Sequence, residues 1–308
     1  MDARWDVLGI GAVAVDDLVY VDRYPPPDTK VEFRDRRRQG GGLTGTALVA
    51  ASRLGAKTAY CGVLGDDELS RFTLRELERE GVDCAPTSFA PDARPIYAVV
   101  IVDLSTGHRS ILYSTAGVKA PEPGRITPEL IASCRVLFVD HTAMEAALRA
   151  VELARAQGVP VVGDVEPNDD PRSIDLVWRV DHLIVGVQLA GQVSGESDPA
   201  AMVRALSRPG QACCAVTAGE EGCWYSEGGG AVRHFPAFRV QVVDTTGCGD
   251  VFHGAYAACI ARGGSVSRAI QISTAAAGIK ATRPGGRSGI PDLPTVEHFL
   301  RERQRGGL

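Results

Sequence analysis

The stretch Val242 to Ile260, VVDTTGCGDVFHGAYAACI, holds the residues best suited to chemistry. An apolar strand end is expected at Val242-Val243, followed by the small turn Thr245-Thr246-Gly247-Cys248-Gly249. A helix then begins, with Val251, Phe252, Ala255 and Ile260 on one face. A glycine-rich turn that opens a helix leaves backbone N–H groups unpaired and converging on one point, where the helix dipole also favours negative charge. Gly247 and Gly249 let a phosphate approach the backbone because no Cβ intervenes. Gly247, Cys248 and Gly249 therefore read as an anion hole. Asp250, in the first turn, competes with a bound anion unless it has a task of its own. One reading makes it the base that takes the proton of an attacking hydroxyl, kept ionised by the dipole. The other makes it a carboxylate that only stabilises the helix N-terminus.

The elements that must position this segment alternate between strand and helix. Val7 to Val13 reads as a buried strand, and Thr58 to Leu64, Val136 to Val139, Val159 to Val162 and Cys213 to Thr217 as further strands. Helical spacing runs over Leu43 to Leu54, Glu68 to Glu80 and Met144 to Gln157, each followed by glycine at the C′ position. Asp198-Pro199 and Thr127-Pro128 are helix starts with an N-cap and a first-turn proline. Such alternation predicts an α/β fold with a central, mostly parallel sheet covered by helices. Four other segments alternate apolar and polar residues: one around Leu18 and Tyr20, one around Val31 and Phe33, then Ile96 to Val102 and Ser110 to Tyr113. The last two flank a turn at Ser105-Thr106-Gly107. Together they predict a small β-sheet lid, segments 15–38 and 95–114 of a single domain spanning residues 1–308.

A net charge of −5 and a pI near 5.7 oppose nucleic-acid binding through the overall field, which requires a basic face. The run Arg34 to Arg38 is a local exception, read either as a solvated strand or as a phosphate-binding patch. The eight cysteines include no CxxC and no zinc-like Cys/His spacing, which suits reduced thiols. Nowhere do eighteen apolar residues follow one another, and the start of the chain has no basic leader, so a cytoplasmic protein with no membrane partner is expected.

On these residues the Val242 to Ile260 stretch resembles the DTxGAGD signature of the ribokinase-like (PfkB) carbohydrate kinases, with Cys248 where alanine is usual. Gly40-Gly41-Gly42-Leu43-Thr44-Gly45-Thr46-Ala47 and the following Ser52-Arg53-Leu54-Gly55-Ala56 resemble the family's glycine-pair motif and the end of its helix. Val216-Thr217-Ala218-Gly219-Glu220-Glu221-Gly222 resembles its nucleotide-side turn. The resemblance implies a kinase that uses ATP and Mg²⁺ on a sugar-like small molecule, with Asp250 as base. It places Asp16, Gly41, Gly42 and Thr46 on the sugar and Thr217, Gly219 and Gly222 near the nucleotide. It further implies a monovalent cation, K⁺, at Asp244 and Thr246, and a homodimer formed through the lid.

The sequence also departs from that pattern. The family's NxxE motif, which helps organise Mg²⁺, reads Gly186 and Leu189 here, leaving Asp164 and Glu166 at a strand end as the carboxylates available to a metal. The tail Thr282 to Pro291, together with Lys30, looks most like the sulfofructose kinase branch. Lys30 with the Arg36 to Arg38 group would then favour an anionic sugar. His141, at a strand end, is a candidate for substrate contact or for a turn cap, and His253 for packing. Two other classes remain open. Gly9-Ile10-Gly11-Ala12-Val13-Ala14 matches the dinucleotide fingerprint of an NAD-dependent oxidoreductase, but that fingerprint needs a helix next, and the following VDDLVYVDRYPPP alternates instead and soon meets three prolines. A non-catalytic sugar- or nucleotide-binding protein on the kinase fold would have lost its base or its anion hole.

Overall fold

The computed structural model describes residues 3–106 and 108–305, so Gly107 of the expected turn lies outside the described residues. A nine-stranded sheet runs in the order Arg233–Phe235, Cys223–Glu227, Cys213–Thr217, His182–Gly186, Val161–Asp164, Cys134–Asp140, Trp5–Ile10, Thr58–Cys61 and Val82–Asp83. Its neighbours are parallel except for the two pairs involving Cys223–Glu227, which are antiparallel. One face packs against the helices Leu43–Arg53, Cys248–Ala261, Val266–Ala281 and Leu293–Arg305, the other against Met144–Gln157, Arg172–Val177, Val187–Ser194 and Pro199–Leu206. Burial on both faces is why the inner strands read as continuous apolar runs rather than alternating ones. The chain order reverses at Trp5–Ile10, which pairs with strands on both sides, and open α/β sheets gather ligands beyond the carboxyl ends at such a point. Among the described residues no helix is long and apolar enough to cross a membrane.

The alternating segments pair into a separate four-stranded sheet of Phe33–Gly41, Ala14–Val21, Ile96–Asp103 and Arg109–Ser114. Val31 falls outside its strand, and the second strand instead runs through the arginine-rich segment into Gly40-Gly41. Those arginines are consumed locally. Arg36 and Arg38 bind Asp17, Arg38 also binds Glu68, Arg34 binds Asp22 and Arg37 binds Asp35. The Arg38 guanidinium, outweighing burial and aided by Tyr97 and Arg36, holds the Asp17 carboxyl far below the usual carboxylate range. The run is therefore a paired strand and not a phosphate patch.

Three local expectations change. Val242-Val243 forms no strand and both side chains are exposed, because the amides of Val243 and Asp244 donate to Ala281 O at the end of the Val266–Ala281 helix. The strand after Gly158 begins at Val161, beyond Pro160, which has no N–H to give a ladder. The oxidoreductase alternative fails on its own condition, since Trp5–Ile10 is followed by the strand Ala14–Val21 and not by a helix. Gly9 and Gly11 serve packing instead. A Cβ on Gly9 would lie 2.7 Å from side-chain atoms of Thr44 and Leu48, and one on Gly11 2.2 Å from Asp140 Oδ2.

Two contacts bring the distant glycine motifs together. Asp140 is buried at the end of its strand, where Oδ2 accepts from Ala12 N at 2.7 Å and Thr44 Oγ1 at 2.7 Å, and Oδ1 from Thr142 N at 2.8 Å. This ties the start of the Leu43–Arg53 helix to the sheet edge. That helix then crosses Cys248–Ala261 so closely that a Cβ on Gly254 would lie 2.0 Å from Ala47 O. The glycine at 254 is a packing requirement, and the crossing joins the helix that follows Gly41-Gly42 to the helix that follows Gly247.

Candidate active site

The helix Cys248–Ala261 starts at Gly247, which has a left-handed φ of 74° and no side-chain cap. Its first-turn amides divide into two kinds. Cys248 N donates to Thr245 O at 3.2 Å and Val251 N to Gly247 O at 2.9 Å, while among the described residues no hydrogen bond engages the amides of Gly247, Gly249 and Asp250. The Cys248 thiol turns back toward Ala277 O at 3.6 Å. Of the three residues expected in the anion hole, Cys248 contributes turn geometry rather than a free donor, and the amide of Asp250 stands free in its stead. Gly249 is exposed, and a Cβ there would meet nothing within 4 Å, so the fold does not demand glycine at that position. Its absence of side chain keeps the space above the free amides open.

A cavity of about 190 Å³ faces these amides, lined by Asp164, Glu166, Gly186, Thr217, Asp250 and His253 among others. Asp164, Gly186 and Thr217 are the last residues of three adjacent strands, so the cavity lies where an open α/β sheet collects ligands. Gly186 and Leu189, which replace the expected metal-organising pair, both sit on its wall. The Asp164 Oδ2 atom is buried without a hydrogen-bond partner, 3.4 Å from His253 Nδ1. Both His253 ring nitrogens face carbonyl oxygens, Gly249 at 2.9 Å and Ile184 at 3.0 Å, and burial draws its pKa down. A neutral ring can donate to only one of them. Burial, then the charges of Asp164 and Glu166, push the Asp250 carboxyl well above the ordinary range, with Arg287 opposing. Desolvation and neighbouring carboxylates thus act against the helix dipole, a partial charge that works only over the first turn, and make Asp250 a stronger base than an ordinary carboxylate.

Asp16 lies near enough for its charge to act on Asp250, and Gly41 packs against Asp16. A Cβ on Gly41 would fall 2.3 Å from Asp16 Oδ2, so glycine there makes room for that carboxylate, and Gly42 is the left-handed N-cap of its helix with φ 85°. Burial raises the Asp16 carboxyl against the pull of Arg287. Arg287 is 6% exposed and fills a hollow walled by glycines, since a Cβ on Gly40 or Gly45 would lie 2.2 or 2.6 Å from its guanidinium. It donates to Gly41 O at 2.7 Å and Thr46 Oγ1 at 3.2 Å. Thr46 is buried and engaged with Arg287, which makes it a support for the site.

The remaining candidates are spread unevenly. Thr217 lines the cavity, whereas Gly219 and Gly222 form the turn that follows, with a Cβ on Gly222 only 2.2 Å from Phe235 O. His141 Nδ1 accepts from Glu166 N at 3.4 Å, on the acidic side of the cleft. Lys30 is exposed in the connection between Ala14–Val21 and Phe33–Gly41, at the opposite end of that hairpin from Asp16, and so is not brought to the site.

The expected K⁺ position is not free to take a cation. Asp244 Oδ1 accepts from Thr246 N and Oδ2 from Gly285 N, each at 2.8 Å. The Asp244 carbonyl accepts from Lys280 Nζ, also at 2.8 Å. Burial works to raise the Asp244 carboxyl, but these donors and Lys280 prevail and lower it. The Thr246 hydroxyl lies beside that carboxylate without a well-formed hydrogen bond. A donor set already holding an ammonium does not fit a second cation, so the assignment of Asp244 and Thr246 as a metal site is corrected.

Sequence reading missed the roles of Arg287, Lys280 and Gln39. Gln39 Oε1 accepts from Gly286 N at 3.1 Å and joins the small sheet to the loop behind the anion hole, as does Arg109, whose Nη1 reaches Thr245 Oγ1 at 3.2 Å. The available signal was the density of glycine around Arg287 in both segments, Gly40 to Gly45 and Gly285 to Gly289.

A family model described as pfkB family carbohydrate kinase matches residues 6–293. The ribokinase of Haemophilus influenzae is 27% identical over 304 residues, covering 94% of this chain and 97% of that protein. Fructokinase-1 of Oryza sativa subsp. japonica is 30% identical over 293 residues, covering 85% and 87%. The structure of Arabidopsis thaliana ribokinase complexed with ribose and ATP superposes with a TM-score of 0.83 at 21% identity, covering 98% of this chain and 99% of that one, a likeness of fold. A family match that runs through both glycine motifs and Asp250 makes this chain a member of the pfkB family of carbohydrate kinases.

Proposed function

We propose that this kinase transfers the γ-phosphoryl group of ATP to a hydroxyl of an uncharged, polyhydroxylated sugar, with Asp250 as the base. The observation that carries the reading is Asp250 standing beside two unengaged amides, its own and that of Gly249, at the mouth of an open cavity. The acceptor oxygen forms the new bond to phosphorus, the bridging oxygen leaves with ADP, and the acceptor's proton passes to the Asp250 carboxylate. A raised carboxyl is a better proton acceptor than an ordinary one, and the fixed amides stabilise charge on the transferring group. Asp16 and the backbone of Gly41-Gly42 orient the sugar, and Thr217 with the turn through Gly219 and Gly222 borders the nucleotide. Mg²⁺ entering with ATP would neutralise phosphate charge, and the orphaned Asp164 carboxylate beside Glu166 suits a divalent cation in that wall.

The side chains expected to attract an anionic acceptor are engaged or remote, which favours an uncharged one. Arg36 and Arg38 are paired with Asp17, and Lys30 lies at the far end of its hairpin. In a panel of neutral pentoses and ketoses against phosphorylated and sulfonated sugars, MgATP-dependent ADP release is expected to show higher kcat/KM for the neutral set. Preference for the anionic set would reverse the substrate assignment, and micromolar NADH binding without ATP turnover would end the kinase reading.

We further infer that the small sheet is a lid through which two copies associate. It carries an unusual share of exposed apolar residues, with Phe33, Ile111, Leu112 and Tyr113 all more than half exposed. Small sheets of this kind need cover. Sedimentation equilibrium is expected to give a dimer that Leu112→Asp converts to monomer. A wild-type monomer at micromolar concentration would remove this inference.

A further inference from the structure

Lys280, in the last turn of the Val266–Ala281 helix, is completely buried. Its ammonium donates to one backbone carbonyl, Asp244 O, and among the described residues no ion pair engages it. A buried cation without an ion-pair partner is costly unless negative charge arrives from elsewhere. Burial draws its pKa down, while Cys248, Asp244 and Asp250 work to keep it charged, with Arg109 opposing them; its bond to Asp244 places it behind the anion-hole turn. The same turn is clamped from that side by Gly285 N on Asp244 and by Ala281 O on the amides of Val243 and Asp244.

We infer that Lys280 is a tethered cation that holds and charges the phosphate-binding turn in place of a mobile monovalent ion, its missing counter-charge being the phosphate of the bound nucleotide. The inference rests on the kinase reading above. Lys280 is a positioning residue: it touches the turn and not the phosphate. A fixed ammonium costs no ion-binding equilibrium, so nucleotide affinity does not depend on the cation in the buffer.

The test is calorimetric binding of MgADP to the full chain in KCl and in tetramethylammonium chloride at equal ionic strength. Wild type is expected to bind with the same Kd in both salts, within about twofold. Lys280→Ala is expected to bind at least roughly tenfold more weakly in tetramethylammonium, through loss of a nearby positive charge. It should recover most of that loss when K⁺ or ethylammonium is added, a cation dependence that a purely structural lysine would not create. Wild-type affinity that tightens fivefold or more with K⁺ overturns the inference, as does Lys280→Ala binding like wild type in tetramethylammonium. Should the variant fail to fold, the wild-type comparison decides alone. Absence of MgADP binding to wild type in either salt would instead refute the kinase reading and the inference with it.

Discussion

Asp250→Asn is expected to lower kcat by roughly a hundred- to ten-thousand-fold, the usual contribution of a positioned general base. The asparagine keeps the shape of the side chain and leaves the amides of Gly249 and Asp250 where they are, so binding of MgADP should hold. It should even improve, because a negative charge beside the phosphate site is removed. Stability should hold or rise as well. Asp250 shares its surroundings with Asp164, Glu166 and Asp16, and these carboxylates repel it. If Asp250 only stabilised its helix, the variant would lose at most about 1 kcal/mol of stability and keep its turnover. Steady-state kinetics and thermal melting on the same preparation separate the two outcomes. A variant that melts earlier yet turns over normally would remove Asp250 from the chemistry.

Arg287→Ala is expected to destabilise the protein by roughly 3–5 kcal/mol, the range for removing a buried charge together with its hydrogen bonds and leaving a cavity. Gly41 O and Thr46 Oγ1 lose their donor. The cavity cannot close by side-chain rearrangement, because Gly40 and Gly45 form its walls. Asp16 also loses the cation that opposes its protonation. Arg287→Lys should restore little, since a single ammonium cannot reproduce a planar guanidinium holding two acceptors and filling the hollow. Guanidinium unfolding read by two probes measures the effect. A loss below about 1 kcal/mol would show that Arg287 carries no appreciable share of the site's framework.

The sequence by itself determined most of the architecture. Helix ends at Gly158 and starts at Thr127 and Asp198 appear where their residue types dictate, because capping depends on neighbours within one turn. The same locality made the Gly247 turn readable, since its backbone geometry and its Asp250 lie within a few residues of each other. Where a segment's partner lay far away, the reading failed. Val242-Val243 looked like a strand by composition, but its amides bond to Ala281, and the short run at His182–Gly186 declares itself only by inserting between two other strands.

Charge was the property that only the tertiary structure decided. Nothing local separates Arg36 and Arg38, paired at the surface, from Arg287, buried under a glycine wall, or either from Lys280, sealed behind the phosphate turn. Lys280 meets Asp244 across 36 residues and Arg287 meets Gly41 across 246. The ionisation of Asp250 follows the same rule. The sequence shows it at a helix start, which favours the charged form, while folding places Asp164, Glu166 and Asp16 around it and removes water, which favours the neutral one. Helix dipoles are short-range and readable from order alone, whereas desolvation and carboxylate repulsion depend on which distant segments the sheet and its crossing helices bring to one point.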